Sequence, residues 1–232
     1  MAVVWPMPSA AQGEPWQFTV TPYLWVAGIK GNTDNPASRV HFDRDFSDLF
    51  SNLSGFPVML GGEVRKGRVA LALDMIWLKV SSPIETRNVL FNDGKGDLST
   101  FQFSAVGFFR ALDRPGGSIE IGGGFRLWSV SSKASLNAGL LPARSTKLDT
   151  TFADPIIAAR FEWRVFDRWS LAGYGDAGLG VSANVTWQAL GTVNYRAADW
   201  LDVKVGWRYL FVEKKKLDLA FNGPMLALSF RF

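Results

Sequence analysis

The chain has 232 residues, no cysteine and a formal net charge of +4 spread along its length. That excludes disulfides and cysteine-based metal sites, and it offers no basic stripe for nucleic acid. No run of about 18 apolar residues encodes a spanning helix, but a spanning strand needs only ~9–11 residues, half of them facing inward.

Met1 to Pro15 carries Ser9-Ala10-Ala11-Gln12, small residues like those that end a secretion signal. We read 1–15 as a leader or the remnant of such a signal, and 16–232 as a single β-barrel domain. The first strand runs from Trp16 to Gly31, with Phe18, Val20, Leu24 and Val26 on one face and Thr19, Thr21 and Tyr23 on the other. A long polar segment follows. Within it Phe46, Leu49, Phe50 and Leu53 recur at helical spacing, which predicts a short amphipathic helix over Asp45 to Leu53 in the first long loop.

Phe56–Arg65 and Arg68–Val80 read as strands joined at Lys66-Gly67, where glycine suits a tight turn. Further strands are predicted over Leu98–Ala111, Ser118–Ser131, Leu148–Val165, Trp169–Ser182, Asn184–Arg196, Leu201–Glu213 and Leu217–Phe232. In Leu201 to Phe211 the odd positions are Leu, Val, Val, Trp, Tyr and Phe, while the even ones include Asp202, Lys204 and Arg208. In the last strand Leu217, Leu219 and Phe221 are odd but Leu226, Leu228, Phe230 and Phe232 are even. One extra residue near Asn222-Gly223-Pro224 would repair the phase, so a bulge is expected there.

About ten strands with one apolar and one charged face, short turns alternating with longer connections, predict a closed antiparallel transmembrane β-barrel. Its apolar side meets lipid and its charged side lines the interior. Ten Trp and 18 Phe supply girdles at the two lipid boundaries. Trp16, Phe18, Trp163, Trp169, Phe230 and Phe232 fall at the end that holds the termini, and Trp187, Tyr209 and Phe211 at the other. Parity places Trp128 and Phe108 inside and Lys79 outside, where its ammonium snorkels to the interface. A soluble carrier barrel is the rival fold, with the apolar face inside and the charged face in water.

A charge facing lipid at the midplane costs ~2–4 kcal/mol, so the strand charges must point inward. Parity assigns Glu63, Arg65, Arg110, Glu120, Glu162, Arg164 and Lys204 to that side, and with them a lumen ion-pair network of Asp74, Arg126, Asp154, Arg160, Asp176 and Arg208. Counting up from the turns puts Asp74, Arg126, Arg160, Asp176 and Arg208 near mid-height. Carboxylates and guanidiniums at one level pair, often bidentately. Gly122, Gly124, Ala158, Ala172 and Gly178 are small inward positions that leave room in the lumen. Gly173 and Gly175 face outward, where a neighbouring ring can lie over bare backbone.

His41 is the only histidine, beside Asp43 and Asp45 in the first long loop. One histidine near aspartates is weak grounds for acid–base chemistry, and nothing in the sequence calls for a catalytic residue, a cofactor or a resident metal. Lys214-Lys215-Lys216 falls at an outer hairpin tip, a candidate contact for lipopolysaccharide phosphates.

Several segments together resemble a group of uncharacterised Gram-negative outer-membrane β-barrel proteins, small porin-like barrels: Thr21–Gly31, Ala153–Phe161, Leu171–Gly180, Thr186–Leu190, Gly206–Leu210 and Gly223–Phe232. The resemblance implies an outer-membrane location and the barrel fold, with no reaction or ligand attached. The terminal Phe232 after alternating apolar residues resembles the signal read by the barrel-insertion machinery. Two functions are open at this point. One is a porin-like passive conduit for small solutes or a largely plugged envelope barrel. The other is a non-conducting structural or docking protein whose outer loops bind lipopolysaccharide or a protein partner.

Overall fold

A computed structural model describes residues 14–35, 38–44, 57–84, 91–139, 141–180, 185–214 and 217–232. The strands in chain order are β1 (Gln17–Trp25), β2 (Gly28–Asn35), β3 (Ser38–Arg44), β4 (Val58–Lys66), β5 (Val69–Ile84) and β6 (Phe91–Arg114). They continue with β7 (Gly117–Ala138), β8 (Arg144–Phe166), β9 (Trp169–Gly178), β10 (Val185–Ala198), β11 (Leu201–Lys214) and β12 (Leu217–Arg231). Every ladder is antiparallel between neighbours, and β1 pairs with both β4 and β12, so the sheet closes on itself.

β12 runs along β1 and then β2 in one unbroken register, from Thr19↔Arg231 through Trp25↔Met225 to Leu217↔Thr33. β1 and β2 are therefore two halves of one stave, and β3 with β4 lie along its other side. The result is a closed barrel of 10 strands. Phe18 and Phe232 exchange both backbone hydrogen bonds at 2.9–3.2 Å and complete the seam beside the termini.

The sidedness follows the period-two pattern. Outward positions stay exposed although apolar: Val69 60%, Ile121 54%, Ile157 56%, Val205 56% and Trp207 55%. Arg208, next to Trp207 and of the opposite parity, is 3% exposed. The apolar face is outside and the charged face inside, which rules out the soluble carrier arrangement. Rings frame the band: Trp169–Tyr195 (4.8 Å) and Trp200–Phe230 (6.1 Å) near the terminal end, Trp187–Tyr209 (4.8 Å) at the other. The hairpins at the terminal end are tight, and Gly67 and Gly116 adopt the left-handed backbone that those turns require.

Two expectations are corrected. The polar segment after the first strand is a paired hairpin, β2 with β3, rather than loop. It lacks alternation because above the lipid band ladder hydrogen bonds alone suffice. The helix expected over Asp45 to Leu53 lies outside the described residues. For the same reason β6, β7 and β8 reach 24, 22 and 23 residues and project well past the band, beyond their predicted ends.

The second correction concerns β12, which has no bulge: Arg208↔Gly223 and Trp207↔Pro224 continue the register on both sides. Phe221 is odd and apolar because it points into the lumen, where it packs on other rings. The irregularity sits on the adjoining stave, where Val26 and Ala27 leave the strand and Val26 N–H donates to the Pro224 carbonyl at 2.9 Å. The Val26 backbone there presses onto Gly223, leaving no space for a β-carbon. Gly223→Val is expected to destabilise the barrel by ~1–3 kcal/mol, as overpacked sites do. A reduced midpoint in urea-dependent gel mobility of the refolded protein in micelles would register the loss.

Candidate functional site

The lumen is the candidate site, and it is built in layers. Inward residues of every strand project to a common axis, so side chains from opposite staves meet. Nearest the termini, β7 and β8 place Glu120 and Arg160 across one ladder position. Arg160 donates to Glu120 at 2.6 Å and reaches across the lumen to Glu63 on β4 at 2.6 Å. Arg65 joins both carboxylates at 2.8 and 2.9 Å, and Arg110 adds a bond to Glu120 at 3.0 Å. Three guanidiniums thus hold two carboxylates, and the Arg160 guanidinium lies 4.1 Å from the Phe108 ring centre.

The middle layer contains two further pairs. Arg126 and Asp176 meet at 2.5 Å with no exposed side-chain surface. Arg126 also donates to Ser104 (3.2 Å) and Thr186 (3.4 Å), and Tyr174 donates to Asp176 at 2.5 Å. Arg208 crosses from β11 to Asp74 on β5 at 2.7 Å, and also donates to Gln188 (2.8 Å) and Tyr23 (3.0 Å). Tyr23 in turn donates to Asp74 at 2.6 Å. Asp154 stands opposite Arg126 in the ladder and is 1% exposed.

Above this layer lies an apolar one. Trp128 of β7 stacks at 6.4 Å on Phe152 of β8 and at 6.3 Å on Phe221 of β12, the stave diametrically opposite. Phe221 continues to Trp25 of β1 at 6.3 Å. Ile76, Leu210, Val212 and Met225 fill in around the rings. The row of rings spans the lumen from wall to wall.

The structure brings together Arg126 with Asp176 and Arg208 with Asp74, and places Asp154 beside the first pair. Arg160 is the departure: it sits one layer lower, with Glu63 and Glu120. Counting residues from the turns ignores the stagger that strand tilt imposes between staves, and so misjudges height. The small inward residues do not hold open space either. The Phe108 ring occupies the room beside Gly122, and Thr186 that beside Gly178. On the outer surface Phe161 does cover Gly173. The ring layer leaves only a parity signal in the sequence: Trp25 shares the parity of Tyr23, and Trp128 falls on the inward face.

At the far end, outward positions turn polar directly above the apolar band. The Ser81 hydroxyl donates to Asp97 at 2.5 Å and holds that carboxyl below its usual range. The Lys147 ammonium, 2.8 Å away, does the same for Asp149. Lys79 lies 4.9 Å from the Trp77 ring centre. Lys214 ends β11, while Lys215, Lys216 and the side chains of His41, Asp43 and Asp45 are outside what is described.

Removing one member of a sealed pair strands the other. Arg126→Met is expected to cost ~3–5 kcal/mol, and Arg126→Met with Asp176→Leu to recover much of it, because no lone charge then remains. Urea unfolding of the two variants followed by tryptophan fluorescence checks this.

No protein-family model matches the chain, and no curated protein does. Among solved structures, the outer membrane protease OmpT from Escherichia coli aligns over 97% of this chain and 99% of its own, with a TM-score of 0.61 and 8% identity. The translocator domain of the autotransporter NalP from Neisseria meningitidis aligns over 94% and 88%, with a TM-score of 0.42 and 11% identity. The OmpT likeness is one of fold. Together with the apolar outer band and the charged interior, it makes this chain an outer-membrane β-barrel whose place is the bacterial outer membrane.

Proposed function

We propose that the protein is a sealed, non-enzymatic outer-membrane barrel that acts through its outer face rather than as a conduit. The observation that carries this reading is the row of rings from Trp128 to Phe221 and Trp25, backed by two layers of paired charges. A solute crossing the lumen would have to part all three layers. Leaving even one buried charge without its partner costs ~3–5 kcal/mol. The outer face is the projecting part of β5 to β8, where Lys79, Lys95, Lys133 and Lys147 stand above the apolar band. We assign this row, with Lys214, Lys215 and Lys216, to contacts with lipopolysaccharide phosphates, and the C-terminal strand ending in Phe232 to the insertion machinery.

Purified, folded protein in planar bilayers is expected to give no steady conductance. Regular ohmic steps from the wild type would overturn the sealed reading. Substituting Lys79 and Lys133 together by Gln is expected to weaken binding to lipopolysaccharide-containing vesicles, by ~1 kcal/mol for each lysine near the surface. Unchanged vesicle binding would remove that assignment.

A further inference from the structure

Three successive turns at the terminal end share a pattern that the lumen network does not use. They read Arg110-Ala-Leu-Asp113-Arg114, Arg164-Val-Phe-Asp167-Arg168 and Arg196-Ala-Ala-Asp199-Trp200. In all three the ladder shifts register just after the first arginine, between Arg110 and Leu112, Arg164 and Phe166, and Arg196 and Ala198. A bulge leaves one residue unpaired and re-aims its neighbours. Here it accompanies three arginines that face one cavity of about 240 Å³ at the mouth of the barrel. Arg114, Arg168 and Arg231 also line it.

Carboxylates neutralise only part of this set. Asp202 takes Arg231 and lies 3.6 Å from Arg196, and Arg110 is shared by Asp113 and Glu120. Arg114, Arg164 and Arg168 have no carboxylate within salt-bridge reach among the described residues, although Asp167 and Glu162 line the same cavity. The buried Arg196 Nε makes no hydrogen bond and meets Asp202 only at ion-pair distance. Guanidiniums in a concave site, repeated from three hairpins, match the planar oxygen pairs of phosphate and carboxylate. The Glu120 layer closes the cavity from above, so the site is a vestibule and not the entrance of a channel.

We infer that this vestibule, which faces the periplasm in an outer-membrane barrel, binds a small solute bearing two or more phosphate or carboxylate groups. Arg114, Arg164 and Arg168 are its free cationic contacts. The site is independent of whether the lumen conducts.

The test is calorimetric titration of the folded barrel, in neutral detergent at low salt, with pyrophosphate and separately with citrate. The two arms distinguish a phosphate from a carboxylate ligand. Saturable binding of either is expected in the wild type. The triple variant Arg114→Gln/Arg164→Gln/Arg168→Gln should lose at least ~10-fold in affinity, roughly one charge-assisted contact or more. Arg144→Gln, far away at the outer end of β8, should bind as the wild type does. Heat-dependent gel mobility verifies that each variant is folded. Absence of binding to both anions by the wild type, or equal affinity in the folded triple variant, would overturn the inference.

Discussion

The pairing of β1 with β12 turns a sheet into a ring, and the rest of the molecule follows from that closure. Lipid offers no hydrogen bonds, so an open strand edge would leave a row of unsatisfied backbone groups. Closure satisfies them and divides space into an outside that must be apolar and an inside that need not be. Exposed Val, Ile, Leu and aromatic side chains are then native rather than anomalous. The seam runs to the last residue, where Phe18 and Phe232 hold each other's backbone.

Closure also brings staves that are far apart in sequence to within side-chain reach across a narrow lumen. Arg208 and Asp74 are 134 residues apart and meet at 2.7 Å; Arg160 and Glu63 are 97 apart and meet at 2.6 Å. Such pairs earn little net stability, since desolvation offsets attraction. What they do is penalise any slip in register, because a one-residue shift would carry each charge to the lipid face. The ring layer adds a contact that only apolar groups on opposing walls can make. The filled lumen is thus a consequence of the same geometry: the interior is used to hold the barrel.

The terminal mouth obeys a different rule. Below the paired layers a cavity opens to solvent, and the penalty for an unpaired guanidinium falls. Arginines can collect there in excess of carboxylates. The three bulges fall just past Phe109, Trp163 and Tyr195, next to the turns at this end.

Much was legible in the residues themselves. Alternation of Val203, Val205 and Trp207 with Asp202, Lys204 and Arg208 determines which way each side chain points, because lipid admits one face only. Strand number and the inward set of charges follow from that. Alternation fails as a guide where lipid is absent, so it reveals neither the polar β2–β3 hairpin nor the long outer ends of β6 to β8. It also fails for Phe221, whose apolar character serves the lumen and not the membrane. Height along the axis was beyond the sequence altogether. Which carboxylate faces which guanidinium, and that Trp128 meets Phe221, depends on strand tilt and the stagger between staves, and these exist only once the ring has closed.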